Sequence, residues 1–311
     1  MSHKRRTLNN RINAGAAFIL LSGIVAAHAE VPSGRRSLTP ATIPATTAAV
    51  VTSPLRGAPT KPLQPAVLHP VTAPPASGAP GCSAPAELTR LDRPLLHTAK
   101  RLASGEPLTI VAIGSSSTAG AGASSPAATY PSRLAGELRK LLPGRSITVL
   151  NRGVNGEETH DMLARFSTAV IAEGPQLVLW QLGTNSVLRD HPLTPHLALL
   201  REGIQELRAA GADVVLIDPQ YAPRVLAKPE TPSMVDLIAL VASDQNVDLF
   251  HRFAVMHDWY EAQHASFNLF VSPDGLHMND WGYACWAKLL AASIANAANA
   301  SVASATKPTA P

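Results

Sequence analysis

Short apolar runs alternate along the chain with longer stretches whose apolar residues recur at helical spacing. Most of the short runs are followed by Gly, Asn or Asp, which is typical of strands buried on both faces of a parallel sheet. They predict strands at residues 108–113, 147–150, 177–182, 214–217 and 247–250. The longer stretches predict helices at residues 85–102, 130–142, 158–172, 195–210, 232–244, 252–262 and 279–297.

Strands that alternate with helices predict an α/β fold of three layers, in which helices cover both faces of a central parallel sheet. The crossovers between such strands are right-handed. Ligands of these sheets bind beyond the carboxyl ends of the strands. A functional site is therefore expected in the segments that directly follow the strands, although these segments are far apart in the sequence.

The first 29 residues have the pattern of an export signal. Residues 1–29 contain the basic start Lys4-Arg5-Arg6, an apolar stretch and Ala27-His28-Ala29. This pattern predicts a cleaved secretory signal peptide, with an uncleaved N-terminal membrane anchor as the alternative. No later segment is long and apolar enough to span a bilayer, so the mature chain is expected to have no integral membrane segment.

Composition divides the rest of the chain. Residues 30–81 are dense in Pro, Ala, Thr and Ser and contain no aromatic residue, and residues 298–311 are similar. Both segments have too little large apolar surface to offset the entropy of ordering, so we expect a disordered linker and a disordered tail. One folded domain is predicted at residues 82–297. The formal charge of +4 arises largely outside this domain, and no basic run with interleaved aromatic residues predicts nucleic-acid binding.

The chain has two cysteines, Cys82 at the entrance of the predicted domain and Cys285 on its last predicted helix. In an exported protein they are expected to form a disulfide, with two unrelated free thiols as the alternative. Their spacing, and that of the histidines, does not match a metal site, so no metal is expected.

Polar segments follow the first three predicted strands, and another precedes the last helix. They are Gly114-Ser115-Ser116-Ser117, Asn151 to Gly156, Gly183-Thr184-Asn185 and Asp274 to His277. Acyl transfer needs a nucleophile, a base and a group that orients the base. Ser116 is the candidate nucleophile and His277 the candidate base. Asp274, three residues before His277, is close enough to bind its Nδ1.

The same segments contain candidate donors for an oxyanion. They are the backbone N–H groups of Ser116 and Gly156 and the side-chain amide of Asn185. A glycine at 156 lets the backbone approach a ligand closely. Gln220 and Tyr221 follow the fourth strand and are possible substrate contacts. Each segment alone resembles an ordinary turn, and the prediction depends on their order along one βα series.

In these four blocks the chain resembles the SGNH (GDSL-type) hydrolases over about residues 108–297. The resemblance implies a flavodoxin-like three-layer α/β/α fold and a Ser-His-Asp esterase mechanism without metal or cofactor. At two positions the chain departs from the family pattern. Ser115 replaces the usual Asp before the nucleophile, and Ser186 replaces the usual Asp after Asn185. Neither belongs to the triad, so activity is expected to persist with different support around the nucleophile.

The resemblance and the export signal together predict a periplasmic or secreted ester hydrolase, an acyl or acetyl esterase. The expected substrate is an acylated small molecule or an envelope or extracellular glycan. A long linker would allow the domain to reach an envelope polymer, and the sequence shows no long apolar lid that would shield a fatty acyl chain. Hydrolysis of lipid or thioester acyl groups is one alternative. A catalytically silent carbohydrate-binding domain on the same fold is another.

Overall fold

A computed structural model describes residues 81–305 of the chain. Its centre is a five-stranded parallel sheet with the strand order β2-β1-β3-β4-β5. The strands are β1 (Leu108–Gly114), β2 (Ile147–Gly153), β3 (Leu177–Gln181), β4 (Asp213–Ile217) and β5 (Asp248–Phe250). The predicted α/β fold with a central parallel sheet is confirmed.

Helices cover both faces of this sheet. They are α1 (Ala86–Thr89), α2 (Leu96–Ser104), α3 (Ser116–Ala119), α4 (Tyr130–Leu141), α5 (Thr159–Leu163), α6 (Phe166–Ala169), α7 (Thr184–Leu188), α8 (Thr194–Ala209), α9 (Pro223–Leu226), α10 (Thr231–Asp244), α11 (Arg252–Glu261), α12 (Phe267–Phe270) and α13 (Asp280–Ala305). Single 3-10 turns occur at Pro126–Ala128 and Ile171–Glu173. Within residues 81–305, no helix is long and apolar enough to cross a membrane.

Successive side chains of each strand pack into opposite layers, as the strand period of two requires. In β1, Ile110 and Ala112 belong to the core that contains α4 and α13, whereas Val111 belongs to the core that contains α8 and α10. On the second face, Trp180 of β3 is fully buried. A Cβ at Gly203 of α8 would lie 2.4 Å from the Trp180 ring, so the glycine permits this close helix–sheet packing.

The helix predicted at residues 85–102 is wrong, because the chain forms two short helices there instead. Pro94 lies between them, and a proline disfavours helical backbone at the preceding residue. The broken segment is stabilised from another element. The carboxylate of Asp248 accepts the backbone N–H groups of Asp92 and Arg93 at 2.8 and 3.0 Å.

The last helix corrects the predicted domain boundary. α13 continues to Ala305, so the residues after 297 do not begin a disordered tail. Alanine is the best helix former, and small side chains allow close packing without aromatic residues. Ala298 is fully buried and Ser301 is 5% exposed. The predicted signal peptide at 1–29 and the linker at 30–81, except Gly81, lie outside the described residues, as do residues 306–311.

A disulfide joins Cys82 to Cys285, with their Cα atoms 5.3 Å apart across 203 residues of sequence. It attaches the start of the described chain to α13. The adjacent carbonyl of Ser83 accepts hydrogen bonds from Trp259 Nε1 at 2.9 Å and from the Gln263 amide at 3.0 Å. The N-terminal segment is therefore bound covalently and by hydrogen bonds to the core.

Candidate active site

The loops beyond the carboxyl ends of the strands meet where the strand order changes direction. β1 lies between β2 and β3, which is the position at which open α/β sheets form a ligand crevice. Ser116 follows β1, Gly156 follows β2 and Asn185 follows β3. The topology therefore brings these three predicted site residues to one crevice.

Ser116 is the first residue of α3, directly after the turn that ends β1. Two glycines allow this turn to lie against its neighbours. A Cβ on Gly114 would lie 2.3 Å from Thr118 Oγ1, and one on Gly153 of β2 would lie 2.1 Å from the backbone N of Ala119. Any side chain at these glycines would displace α3 and with it the Ser116 hydroxyl.

The loop before α13 brings His277 and Asp274 to Ser116. Nε2 of His277 lies 2.8 Å from Ser116 Oγ, and Nδ1 of His277 lies 2.5 Å from Asp274 Oδ2. Because an ionised carboxylate only accepts hydrogen bonds, Nδ1 carries the proton and Nε2 is free to accept one from the serine hydroxyl. The three side chains form one hydrogen-bonded series, although 161 residues separate Ser116 from His277.

Asp274 is held in its ionised form. Partial burial opposes ionisation, but hydrogen bonds from the His277 ring, from the Ser272 hydroxyl and from the backbone N–H groups of Leu276 and His277 outweigh it. The pKa of Asp274 consequently lies well below its usual range. Asp274 Oδ1 accepts hydrogen bonds from Ser272, Leu276 and His277 at 2.7–3.0 Å. These bonds fix the orientation of the carboxylate toward the imidazole.

The predicted oxyanion donors lie in the segments that follow β1, β2 and β3. Gly156 has a φ of +82°, which favours glycine. Among residues 81–305, the backbone N–H groups of Ser116 and Gly156 have no hydrogen-bond partner. The amide of Asn185 donates one N–H to the carbonyl of Glu157 at 2.8 Å, which leaves its second N–H free of any described partner. All three predicted donors therefore have an N–H without a described hydrogen-bond partner.

The sequence of residues 81–300 matches the Non-GDSL lipase-like family, over more than half of the chain. The chain belongs to the Non-GDSL lipase-like family. This supports the broader SGNH-like assignment, whereas the GDSL-type assignment is not confirmed. The nucleophile segment agrees with that distinction, because it reads Gly-Ser-Ser-Ser and lacks the Asp of the GDSL pattern.

Two curated relatives of this chain are esterases. An arylesterase of Vibrio mimicus is 30% identical over 125 residues, which are 40% of this chain and 61% of that protein. An acetylxylan esterase of Geobacillus stearothermophilus is 28% identical over 102 residues, which are 30% of this chain and 47% of that protein. The chain thus spans 61% and 47% of the lengths of these relatives.

Solved structures share the fold at lower identity. The acetylxylan esterase of Geobacillus stearothermophilus superposes with a TM-score of 0.52 at 21% identity, covering 60% of this chain and 94% of that one. A lipase/acylhydrolase of Enterococcus faecalis gives 0.51 at 24% identity, covering 61% and 96%. A two-domain esterase active on acetylated mannans gives 0.59 at 20% identity, covering 72% and 59%. These similarities support the α/β fold of this chain.

Ser115, the first departure from the SGNH pattern, is supported by a glutamine of β3. The backbone N–H and the hydroxyl of Ser115 both donate to Gln181 Oε1, at 3.0 and 3.2 Å. The Thr118 hydroxyl donates to the same oxygen at 3.2 Å. Gln181 is fully buried, so a neutral amide oxygen on the neighbouring strand supports both ends of the nucleophile turn.

Ser186, the second departure, lies beside a carboxylate that the sequence analysis missed. Its hydroxyl donates to Glu158 Oε2 at 2.8 Å, and the same carboxylate binds Arg189 at 2.5 Å and His191 at 3.0 Å. Burial of Glu158 opposes its ionisation, but these hydrogen bonds outweigh burial and lower the pKa to about 2. At Ser186, where the SGNH pattern has Asp, the side chain thus lies beside a carboxylate from the start of α5, and an Asp at 186 would lie against Glu158.

Arg189 extends this network to the candidate oxyanion site. Its Nη2 donates to the Gly156 carbonyl at 2.9 Å, next to the Glu157 carbonyl that Asn185 binds. The peptide segment that carries the Gly156 N–H is therefore held by side chains from α7 and the residue after it. Glu158, two residues after Gly156, was the available signal in the sequence, but its partners Ser186 and Arg189 are 28 and 31 residues away.

Gln220, a possible substrate contact in the sequence analysis, is only 1% exposed in the structure. Its amide is occupied by the Thr184 hydroxyl, by Arg252 and by the Leu276 carbonyl at 2.9–3.1 Å. It ties the end of β4 to the loop that holds His277. Tyr221 is partly exposed and remains available to a ligand. In the part of the chain that the structure describes, no group of three His, Cys, Asp or Glu side chains has the arrangement of a metal site.

Proposed function

We propose that the protein is a serine ester hydrolase in which Ser116 is the nucleophile, His277 the general base and Asp274 the group that orients the base. The observation that carries this proposal is the hydrogen-bonded series from Ser116 Oγ through the imidazole to Asp274, with distances of 2.8 and 2.5 Å. Membership of a lipase-like family and esterases among the relatives support the same reaction class.

The geometry supports a two-stage reaction. His277 Nε2 takes the Ser116 proton while Oγ bonds to the ester carbonyl carbon, and the carbonyl electron pair moves to its oxygen. The free N–H donors of Ser116, Gly156 and Asn185 stabilise that oxyanion. When the carbonyl re-forms, the ester C–O bond breaks and His277 gives its proton to the departing alcohol. Water then attacks the acyl-serine in the same way, releasing the carboxylic acid and restoring the serine.

The proposed substrate is a short acyl ester, an acetyl group above all, carried by a glycan. Acetylxylan is the substrate in the name of one relative, and acetylated mannans are the substrates of one structural neighbour. The proposed location is outside the cytoplasm, in the periplasm or the medium. The signal pattern at residues 1–29 and the Cys82–Cys285 disulfide support that location, because disulfides persist in oxidising compartments.

The decisive experiment measures hydrolysis of p-nitrophenyl acetate by the purified chain and its Ser116→Ala variant. We expect turnover by the wild type, loss of turnover in the variant, and covalent labelling of Ser116 by a fluorophosphonate. Equal rates for the two proteins would exclude the proposed nucleophile. Absence of turnover together with retained binding of acetylated oligosaccharides would instead favour the silent carbohydrate-binding alternative.

Acyl length separates glycan from lipid substrates. We expect p-nitrophenyl acetate and butyrate to be hydrolysed faster than the palmitate, since the proposed leaving acyl group is small. A strong palmitate preference would overturn the glycan proposal in favour of a lipid acyl hydrolase. Export is tested separately by fractionating cells that express the full chain, where recovery of an uncleaved chain in the cytoplasm would contradict it.

A further inference from the structure

Aromatic rings form a cluster on the carboxyl side of β4. Tyr221 packs edge-on against Phe253 and His257 with centroid distances of 5.1 and 4.9 Å, and it lies parallel to Phe267 at 5.9 Å. Tyr260 stacks on Phe267 at 4.3 Å. None of these five rings is fully buried. Tyr221, Tyr260 and Phe267 pack on one side against the hydrophobic core, and the cluster presents its remaining aromatic surface to solvent.

This cluster is continuous with the loop that holds His277. Gln220 Nε2 donates to the Leu276 carbonyl at 3.1 Å, and the backbone N–H of Arg224 donates to the Gly275 carbonyl at 3.0 Å. Tyr221 lies between these two anchors in the sequence. From the other side, α12 ends at Phe270 and the chain reaches Asp274 four residues later. Two separate segments thus connect the rings to the proposed catalytic loop.

A surface cavity of about 580 Å³ lies at the far end of the cluster. We call it the Tyr260 groove, and its principal lining residues are Tyr260, Glu261, His264, Ser266, Phe267 and Asn268. The volume is within the range of about 300–1,000 Å³ that is usual for ligand sites. The side chains of Glu261, His264 and Asn268 are exposed, and within residues 81–305 they make no hydrogen bond to the protein. Aromatic surface and free polar groups therefore line the same cavity.

We propose that the Tyr260 groove binds sugar residues of the glycan whose acetyl ester is hydrolysed at Ser116, with Tyr221 between the two positions. A pyranose ring has apolar C–H faces that pack against aromatic rings and a rim of hydroxyls that bond carboxylate, amide and imidazole groups. The groove supplies both kinds of contact, whereas an acyl chain would use only its aromatic surface. This inference rests on the proposed function and adds a subsite remote from the reacting bond.

The test compares two changes at one ring. Tyr260→Phe keeps the aromatic surface and Tyr260→Leu removes it. The measured quantity is kcat/KM for acetylated xylo-oligosaccharides divided by kcat/KM for p-nitrophenyl acetate in the same protein. We expect this ratio to fall about five- to tenfold in Tyr260→Leu, through KM, and to stay near the wild-type value in Tyr260→Phe. Leu240→Ala, which truncates a 63% exposed leucine on α10, is the surface control.

A second variant does not depend on packing. His264→Ala combined with Asn268→Ala removes exposed groups that have no described hydrogen bond, so the ratio should again fall. Because His264 has a φ of +55°, retained hydrolysis of p-nitrophenyl acetate is the check that this variant folds. Binding of the oligosaccharides to Ser116→Ala protein, measured by calorimetry, should weaken when Tyr260→Leu is added. Unchanged ratios and unchanged binding in both groove variants would overturn the subsite while leaving p-nitrophenyl acetate hydrolysis, and thus the proposed function, intact. A loss seen only with p-nitrophenyl palmitate would identify an acyl groove instead and also overturn it.

Discussion

Asn185→Ala tests whether this side chain is an oxyanion donor or only a clamp on the neighbouring loop. The substitution removes the free N–H and also the 2.8 Å hydrogen bond to the Glu157 carbonyl. Loss of one oxyanion donor lowers kcat by about 10²–10³, or about 2.7–4 kcal/mol of transition-state stabilisation. Loss of the clamp alone costs about 1 kcal/mol of folding free energy, a fall in Tm of about 2–4 °C for a domain of this size.

The control for this prediction is Arg189→Met. Arg189 binds the Gly156 carbonyl and the Glu158 carboxylate, at 2.9 and 2.5 Å, so its removal loosens the same segment without removing a proposed donor. Steady-state kinetics with p-nitrophenyl acetate should show a fall in kcat of about tenfold or less for Arg189→Met and the full loss for Asn185→Ala, with little change in KM. Equal losses in the two variants would refute the donor role and leave Asn185 as a positioning residue.

Three further predictions concern the loop, the disulfide and a buried carboxyl. Gly122→Ala should lower kcat at least tenfold, since the new Cβ would lie 2.9 Å from the His277 Cβ and displace that residue. An unchanged kcat would contradict this prediction. Cys82→Ala opens a cross-link across 203 residues and should lower the unfolding free energy in urea by up to about 5 kcal/mol; a loss under about 1 kcal/mol would contradict this. Burial raises the pKa of Asp218 to about 7, so its contribution to stability is lost as pH rises from about 4 to 7. Asp218→Asn should therefore raise Tm at pH 8 and change it little at pH 4, and an equal effect at both values would refute the titration.

Much of the fold follows from local pattern. Continuous apolar runs are typical of strands covered on both faces, and all five strands occur within about three residues of their predicted ends. Their alternation with helices requires a parallel sheet, and the carboxyl ends of parallel strands share an edge. This geometry explains why Ser116, Gly156 and Asn185 were assigned to one crevice from the sequence. The Asp274–His277 pair was equally accessible, because a separation of three residues allows contact within one turn.

The support around that crevice was decided by tertiary structure. Glu158 accepts a hydrogen bond from Ser186, and Gln181 accepts hydrogen bonds from Ser115, because side chains from separate strands and helices meet there. Gln220 was predicted as a possible substrate contact, but it is buried and binds Arg252 and the loop of His277. The burial and the hydrogen-bond partners of a polar side chain depend on which distant elements pack together. A periodic pattern in the sequence shows only which face of a helix or strand the residue lies on. The candidate nucleophile Ser116 was predicted from the sequence alone, whereas its surroundings required the folded chain.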